Sequence, residues 1–444
     1  MEQEKISPSV AEQFNAIADL QPLVVYNTVP EDGDEQKAAY LRGDITQPHH
    51  EYRRMDEFDI DQRKADLARL GMELMENPAL NPKFATSYGE FVDTYQTQAL
   101  LLESARTYRL ADDPLERQQA ASEFMRLNIE RYGEPEKETY HYLLGKKLAA
   151  IRSKNFTGRA KELADELFAL VDLDEGEIAE GYKPSDETVE WMHEVVESLY
   201  GNMLEHVPEQ KEFNSNEIRD IFEEIIHDEF GEAADGWTVI IDAAKSINVK
   251  PTEKRVVIPP SITRSHEVMR GLVTHELGVH MLRSITGGET DFGPLSTGLS
   301  DYDDSEEGLG KVMEQALKGK FAEVGVDYYI AASLAYFEGK SFDDIVNIQY
   351  RLALLGGLKE DGEVTDELIE KKRATAYNST YRIMRGTDEL PLFKDLSYYN
   401  GSIEMWKHLE SIRGDDTKFM FVLMGKGNPA NIANERLMYE TKTV

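Results

Sequence analysis

The string HELGVH, residues 275–280, places two histidines five residues apart with Glu276 directly after the first. On an α-helix, residues four apart are separated by about 40° around the axis, whereas five apart gives about 140° and splays the rings. If His275 and His280 are to meet at one point, the helix must take in an extra residue between them, as a π-bulge does. Gly278 lies inside that span. Glycine costs about 1 kcal/mol relative to alanine in a helix interior, so its presence fits a local distortion. The surrounding helix is well delimited. Ser265 is a good N-cap. Val268, Leu272, Val279 and Leu282 share an apolar face, and Gly287-Gly288 supplies the stop.

The chain has no cysteine. Disulfides, thiolate metal sites and thiol nucleophiles are therefore excluded, and a transition metal must be held by His, Asp and Glu. Zinc accepts imidazole nitrogens and carboxylate oxygens, and its catalytic sites leave one position open beside three protein ligands. The metal brings a bound water's pKa down to about 7, where a nearby glutamate can take its proton as a carbonyl is attacked. His275 and His280 are the candidate ligands and Glu276 the candidate base. A third ligand is expected from another helix. The loop Gly293–Ser305 leads into EEGLG, where Ser305 can cap a helix carrying Glu306 and Glu307 in its first turn. One of these carboxylates can bind metal while the other orients a histidine or a substrate amine. Asp301, Asp303 and Asp304 are further donors in the loop.

At 444 residues the chain is too long for one core. Three regions are expected: an arm or loops over 1–50, a helical region over 51–200, and a catalytic region over 201–444. Apolar periodicity predicts helices at Asp61–Glu76, Ser87–Leu110, Glu116–Tyr132 and Thr157–Val171. Beyond the HELGVH helix, others are predicted at Glu306–Leu317, Ala322–Phe337, Phe342–Leu355, Thr365–Ala376 and from near Lys394. Strand character is confined to the part after Gly236, where Trp237–Ile241 and Arg255–Ile258 read as an antiparallel pair. The fold class is mainly α with a small antiparallel sheet beside the zinc-binding helix, a gluzincin-like core. Lys+Arg 49 against Asp+Glu 84 gives a net charge of -35. That field disfavours nucleic acid as a partner. No apolar run reaches the ~18 residues of a membrane span, and the N-terminus lacks a secretory pattern. A cytoplasmic protein with no membrane partner is expected.

HELGVHMLR followed by a Gly/Ser-rich loop and EEGL resembles the metallopeptidase family that includes the microtubule-associated tyrosine carboxypeptidases, whose bacterial members are often named for a QEGLA motif. The likeness runs from about Asn77 to about Gly425. It takes in NPKF, GWTVIIDAAKSINVKPTEKRVVIPP, YRIMRGT and KDLSYYNG. The resemblance implies zinc on His275, His280 and Glu307, with Glu276 as base. Glu306 stands for the bacterial glutamine, Gly310 for the usual alanine and Thr286 for a more familiar asparagine; these departures bear on substrate preference and on what surrounds the ligands. A carboxypeptidase must also grip a free carboxylate, for which arginine's planar fork is suited. Arg385, Arg382 and Arg283 are candidates, with Tyr381 or Tyr398 as a hydrogen-bond donor to a developing oxyanion. The expected activity is removal of residues from the C-terminus of a peptide or protein, with Zn2+ as cofactor. The eukaryotic relatives trim an acidic tubulin tail, a poor match for so negative a chain. Dipeptidyl peptidase III also pairs HExxxH with a Glu-Glu helix, so an aminopeptidase-like enzyme is one alternative. A silent binding protein on the same fold is another.

Overall fold

The computed structural model describes residues 9–26, 30–171, 180–244, 246–290, 292–300, 302–359, 362–431 and 434. Asp301 lies outside them. The four long periodic segments form helices Ile60–Met75, Ala85–Leu110, Pro114–Tyr132 and Gly158–Leu170. Their starts follow local chemistry: Asp59 and Asp113 each accept a first-turn amide, and Pro114 occupies a position that needs no amide hydrogen. Downstream come Val326–Glu338, Phe342–Gly357, Asp366–Met384 and Ser397–Ser411. Among the described residues, no helix is long and apolar enough to cross a membrane.

Residues 1–50 depart from the expected arm or loops. Helices Val10–Ala18 and Gly33–Arg42 lie there. The first begins with a reciprocal capping box between Ser9 and Glu12, which satisfies two otherwise orphaned amides. It is pinned by Phe14, whose ring packs on Tyr88 and Phe91.

The strands also differ in direction. We label them β1 (Glu212–Asn214), β2 (Thr238–Ile241), β3 (Asn248–Lys250), β4 (Arg255–Ile258) and β5 (Thr263–Ser265). β2 and β4 are parallel rather than antiparallel, and the sheet order is β2-β4-β3. The connection between β2 and β4 carries β3, which turns back through Lys254 at φ 47 to make the antiparallel hairpin itself. β2 then joins β4's free edge in the same direction. A separate antiparallel pair, β1 with β5, brings the chain to Ser265. β1 precedes Gly236, before the point where strand character was expected to begin.

The HELGVH helix runs through one of the apolar clusters of the described residues. Met269, Val273, Leu277, Val279 and Met281 are fully buried there, together with Val196 and Tyr200 from the helix Asp186–Glu205. Val268, expected on the apolar face, is 43% exposed; the buried stripe starts one residue later, at Met269. The EEGLG helix is Tyr302–Leu317, so Ser305 lies inside it and donates back to the Tyr302 carbonyl instead of capping it. Glu306 and Glu307 consequently fall in its second turn. This helix crosses Ser397–Ser411 at a contact without side chains. A Cβ on Gly308 would lie 2.2 Å from the Gly401 backbone, and one on Gly401 would lie 1.8 Å from the Asp304 carbonyl oxygen. The glycines of EEGL and YYNG are therefore what let these two helices touch. In each apolar cluster of the described residues, residues from before and after position 200 pack together.

Candidate metal centre

Three consecutive helical segments make up the histidine-bearing element: α-helical His266–Leu272, π-helical Val273–Met281 and α-helical Leu282–Gly288. Ser265 caps its start by accepting from the Val268 amide. The π segment coincides with the HELGVH string, as its spacing predicts. The rings of His275 and His280 converge, with centroids 4.6 Å apart and planes at 79°. Glu307 reaches the same point from the EEGLG helix. One ligand atom from each of His275, His280 and Glu307 lies within 4.8 Å of the other two.

Both imidazoles are fixed from behind. His275 Nδ1 is 2.6 Å from Glu314 Oε1, and His280 Nδ1 is 2.8 Å from Glu306 Oε1. A carboxylate partner requires the proton on Nδ1, which leaves Nε2 as a lone-pair donor. Of the two adjacent glutamates, Glu307 supplies the third donor and Glu306 orients a ring. Gly310 bears on the other ring, because a Cβ there would lie 2.6 Å from His275 Cε1. Gly310 thus lies directly against a candidate ligand.

Glu306 is deeply set. Its second oxygen accepts from Arg283, and Lys426 Nζ lies 2.8 Å from its first. Burial pushes its carboxyl up, but Lys426, Arg283 and His280 together hold it well below the usual carboxylate range. Lys426 comes from a C-terminal loop stitched to the site. Its amide donates to the Leu295 carbonyl at 2.7 Å, and its own carbonyl accepts from Leu299 at 2.9 Å. Arg283 also donates to the Gly427 carbonyl. Thr286 donates to the Leu423 carbonyl and accepts from the Gly425 amide. Glu314 is held down to about 2: burial raises it, and His275 and Lys311 more than reverse that. The Glu276 carboxyl is buried beside the ligands and is pushed up to about 7, chiefly by burial, with Glu307 and Glu314 adding to the effect.

The candidate substrate groups assemble around Asp395, which is 2% exposed. Arg382 grips its carboxylate with a two-nitrogen fork at 3.0 and 2.8 Å and donates to the Tyr398 hydroxyl at 3.0 Å. Its guanidinium also lies over the Tyr328 and Tyr398 rings. Arg385 is 3.6 Å from Asp395, and its side chain is 12% exposed against 36% for Arg382. Tyr398 feels the charge of Glu307; its phenol is pushed far up, first by burial and then by that carboxylate. The other two candidates are committed elsewhere. Arg283 is fully buried on Glu306 and cannot reach a substrate. Tyr381 packs its ring 4.7 Å from that of His50, in a cluster where His50 and Tyr52 both bond to Asp388.

Two residues of the site escape sequence reasoning. Glu314 carries a usable signal: it stands seven residues after Glu307, on the same face of one helix. Lys426 carries none, since only the folded C-terminal loop brings it to Glu306. A second potential donor trio, His206, Glu224 and Asp228, is more exposed and has one imidazole.

Two imidazoles and a carboxylate converging on one point, with both Nδ1 atoms already bonded, are a donor set that fits zinc. Comparison of the chain with protein-family models, with curated proteins and with solved structures returned no match.

Proposed function

We propose that the chain is a zinc-dependent peptidase, with His275, His280 and Glu307 as ligands and Glu276 as general base. The observation that carries this reading is the π-helical convergence of both histidines on Glu307, with each ring braced by its own carboxylate. Bound there, zinc would supply Lewis-acid activation of water and of a carbonyl. The protein's own part is to hold, orient and move protons. Glu276 sits beside the ligands without being one of them, placed to take a proton from water and return it to a leaving amine. Tyr398 has its hydroxyl fixed by Arg382 and can hold a hydrogen bond to a carbonyl oxygen as charge develops on it.

Cleavage from the C-terminus is the direction we propose. Arg382 contacts Tyr398 and Arg385 shares its partner Asp395; of the two, Arg382 is the more exposed and the better placed to meet a substrate carboxylate. A second direction has its own support. Asp304, one turn before Glu307, has a carboxyl pushed up to about 6 by burial, Asp303 and Glu404, and such a group would welcome an ammonium terminus. Peptides blocked at either end separate the two. If Arg382 anchors a carboxylate, amidation lowers kcat/KM at least tenfold and N-acetylation changes little. The reverse pattern would assign an aminopeptidase-like enzyme, and indifference to both blocks an endopeptidase. Peptide turnover should vanish with His280→Ala; turnover that survives that change would exclude the metal-peptidase reading altogether.

A further inference from the structure

The π insertion needs a cause, because a π turn is less favourable than the α turns on either side of it. At its C-terminal end, the Leu282 amide donates to the Leu277 and Val279 carbonyls. In an α-helix that amide would donate to Gly278. The Gly278 carbonyl, passed over by its α-helical partner, instead accepts the Tyr200 hydroxyl at 2.7 Å. Tyr200 is 1% exposed and comes from a different helix, Asp186–Glu205. Its ring packs against Gly278. A Cβ at that position would sit 2.7 Å from the ring edge and 2.9 Å from the carbon bearing the hydroxyl. Gly278 is thus glycine so that a phenol can come within reach of its carbonyl.

We propose that Tyr200 is a positioning residue: its hydroxyl takes the place of the Leu282 amide on the Gly278 carbonyl and so holds the one-residue insertion that turns His275 and His280 to a common point. A buried carbonyl without a partner is strongly disfavoured. Without the hydroxyl, the Gly278 carbonyl loses that donor, and the Leu282 amide, its α-helical partner, can take it up, which returns this turn to α register. That register carries the two histidines apart, towards the ~140° expected of residues five apart. The backbone part of this inference stands independently of the function proposed above; its consequence for metal binding rests on that function.

The test compares wild type, Tyr200→Phe and a control, Tyr140→Phe, which removes the hydroxyl of an equally buried tyrosine that donates to Glu338 in another cluster. Crystal structures of the metal-free proteins read the backbone. Zinc affinity by chelator competition, and the visible spectrum after cobalt loading, read the ligand geometry. For Tyr200→Phe we expect the Leu282 amide on Gly278, a ring separation beyond the wild-type 4.6 Å, at least a tenfold loss of zinc affinity and an altered cobalt spectrum, with none of these in the control. An unchanged insertion together with unchanged zinc affinity would overturn the proposal. If Tyr200→Phe does not fold, Gly278→Ala decides, since its methyl group displaces the ring: retained insertion and affinity there would overturn the proposal, and their loss would support it. If wild type binds no zinc, the peptidase reading fails, and the crystal structures alone decide the role of Tyr200.

Discussion

The Glu276 carboxyl is held up to about 7, chiefly by burial, and this ties the candidate base to the stability of the metal-free protein. An unfolded glutamate titrates near 4.5. Because the folded value is the higher one, Glu276 contributes stability below about pH 4.5, and that contribution is lost as pH rises through about 7. The full swing is on the order of 3 kcal/mol. Metal-free Glu276→Gln should therefore melt increasingly above wild type as pH rises from 4.5 to 7, a difference read by calorimetry; a gap independent of pH would mean the carboxyl is not held up. With zinc, the same variant should retain metal and lose about 10²–10⁴-fold in turnover. Lys426→Met leaves Glu306 with one cation fewer and should weaken zinc binding about 10–100-fold in a chelator competition. What could be read at this scale was local. His275, Glu276, His280 and the Glu306-Glu307 pair lie in two short strings whose residue types and spacing carry the chemistry. Glu314 acts from another helix, and Lys426 from a loop more than a hundred residues downstream of the histidines, so their partners are set by tertiary contact.

Elements of the site depend on close approach. The EEGLG helix and Ser397–Ser411 meet at Gly308 and Gly401, where any Cβ would strike backbone that cannot swing aside. Gly401→Ala should lower the melting temperature by an amount equivalent to about 1–3 kcal/mol or more and draw Glu307 away from the histidines. Gly310→Ala presses instead on the His275 ring and should reduce zinc affinity with a smaller change in melting temperature. Equal metal affinity in Gly310→Ala and wild type would show that the ring relaxes freely. Helices were legible because their periodicity is carried over many residues. The π distortion was legible because the five-residue spacing demands it. The direction of β2 was not: strands of three or four residues have no periodicity to speak of, and the path of the connection decides whether β2 meets β3 or the far edge of β4. The helix Val10–Ala18 lies where loops were expected, although Ser9 and Glu12 form its capping box, because Pro22, Pro30 and Pro48 interrupt the rest of that stretch.

For the whole molecule, the net charge of -35 sets a background against which a dication at a buried anionic site should be strongly stabilising. Chelation should lower the melting temperature of the holoprotein. A ligand at a thousandfold its Kd contributes about 4 kcal/mol, so the shift should be several degrees and should reverse when zinc is restored. Division into regions was the least legible feature. Each apolar cluster joins early and late parts of the chain, and sequence order carries no record of such interleaving. The most direct test of the metal centre is anomalous diffraction at the zinc edge from crystals of the zinc-loaded protein. One peak should lie within coordinating distance, about 2.0–2.2 Å, of His275 Nε2, His280 Nε2 and a Glu307 carboxylate oxygen, and it should vanish in His280→Ala. No peak at that point, or a peak only at the His206, Glu224 and Asp228 trio, would contradict it.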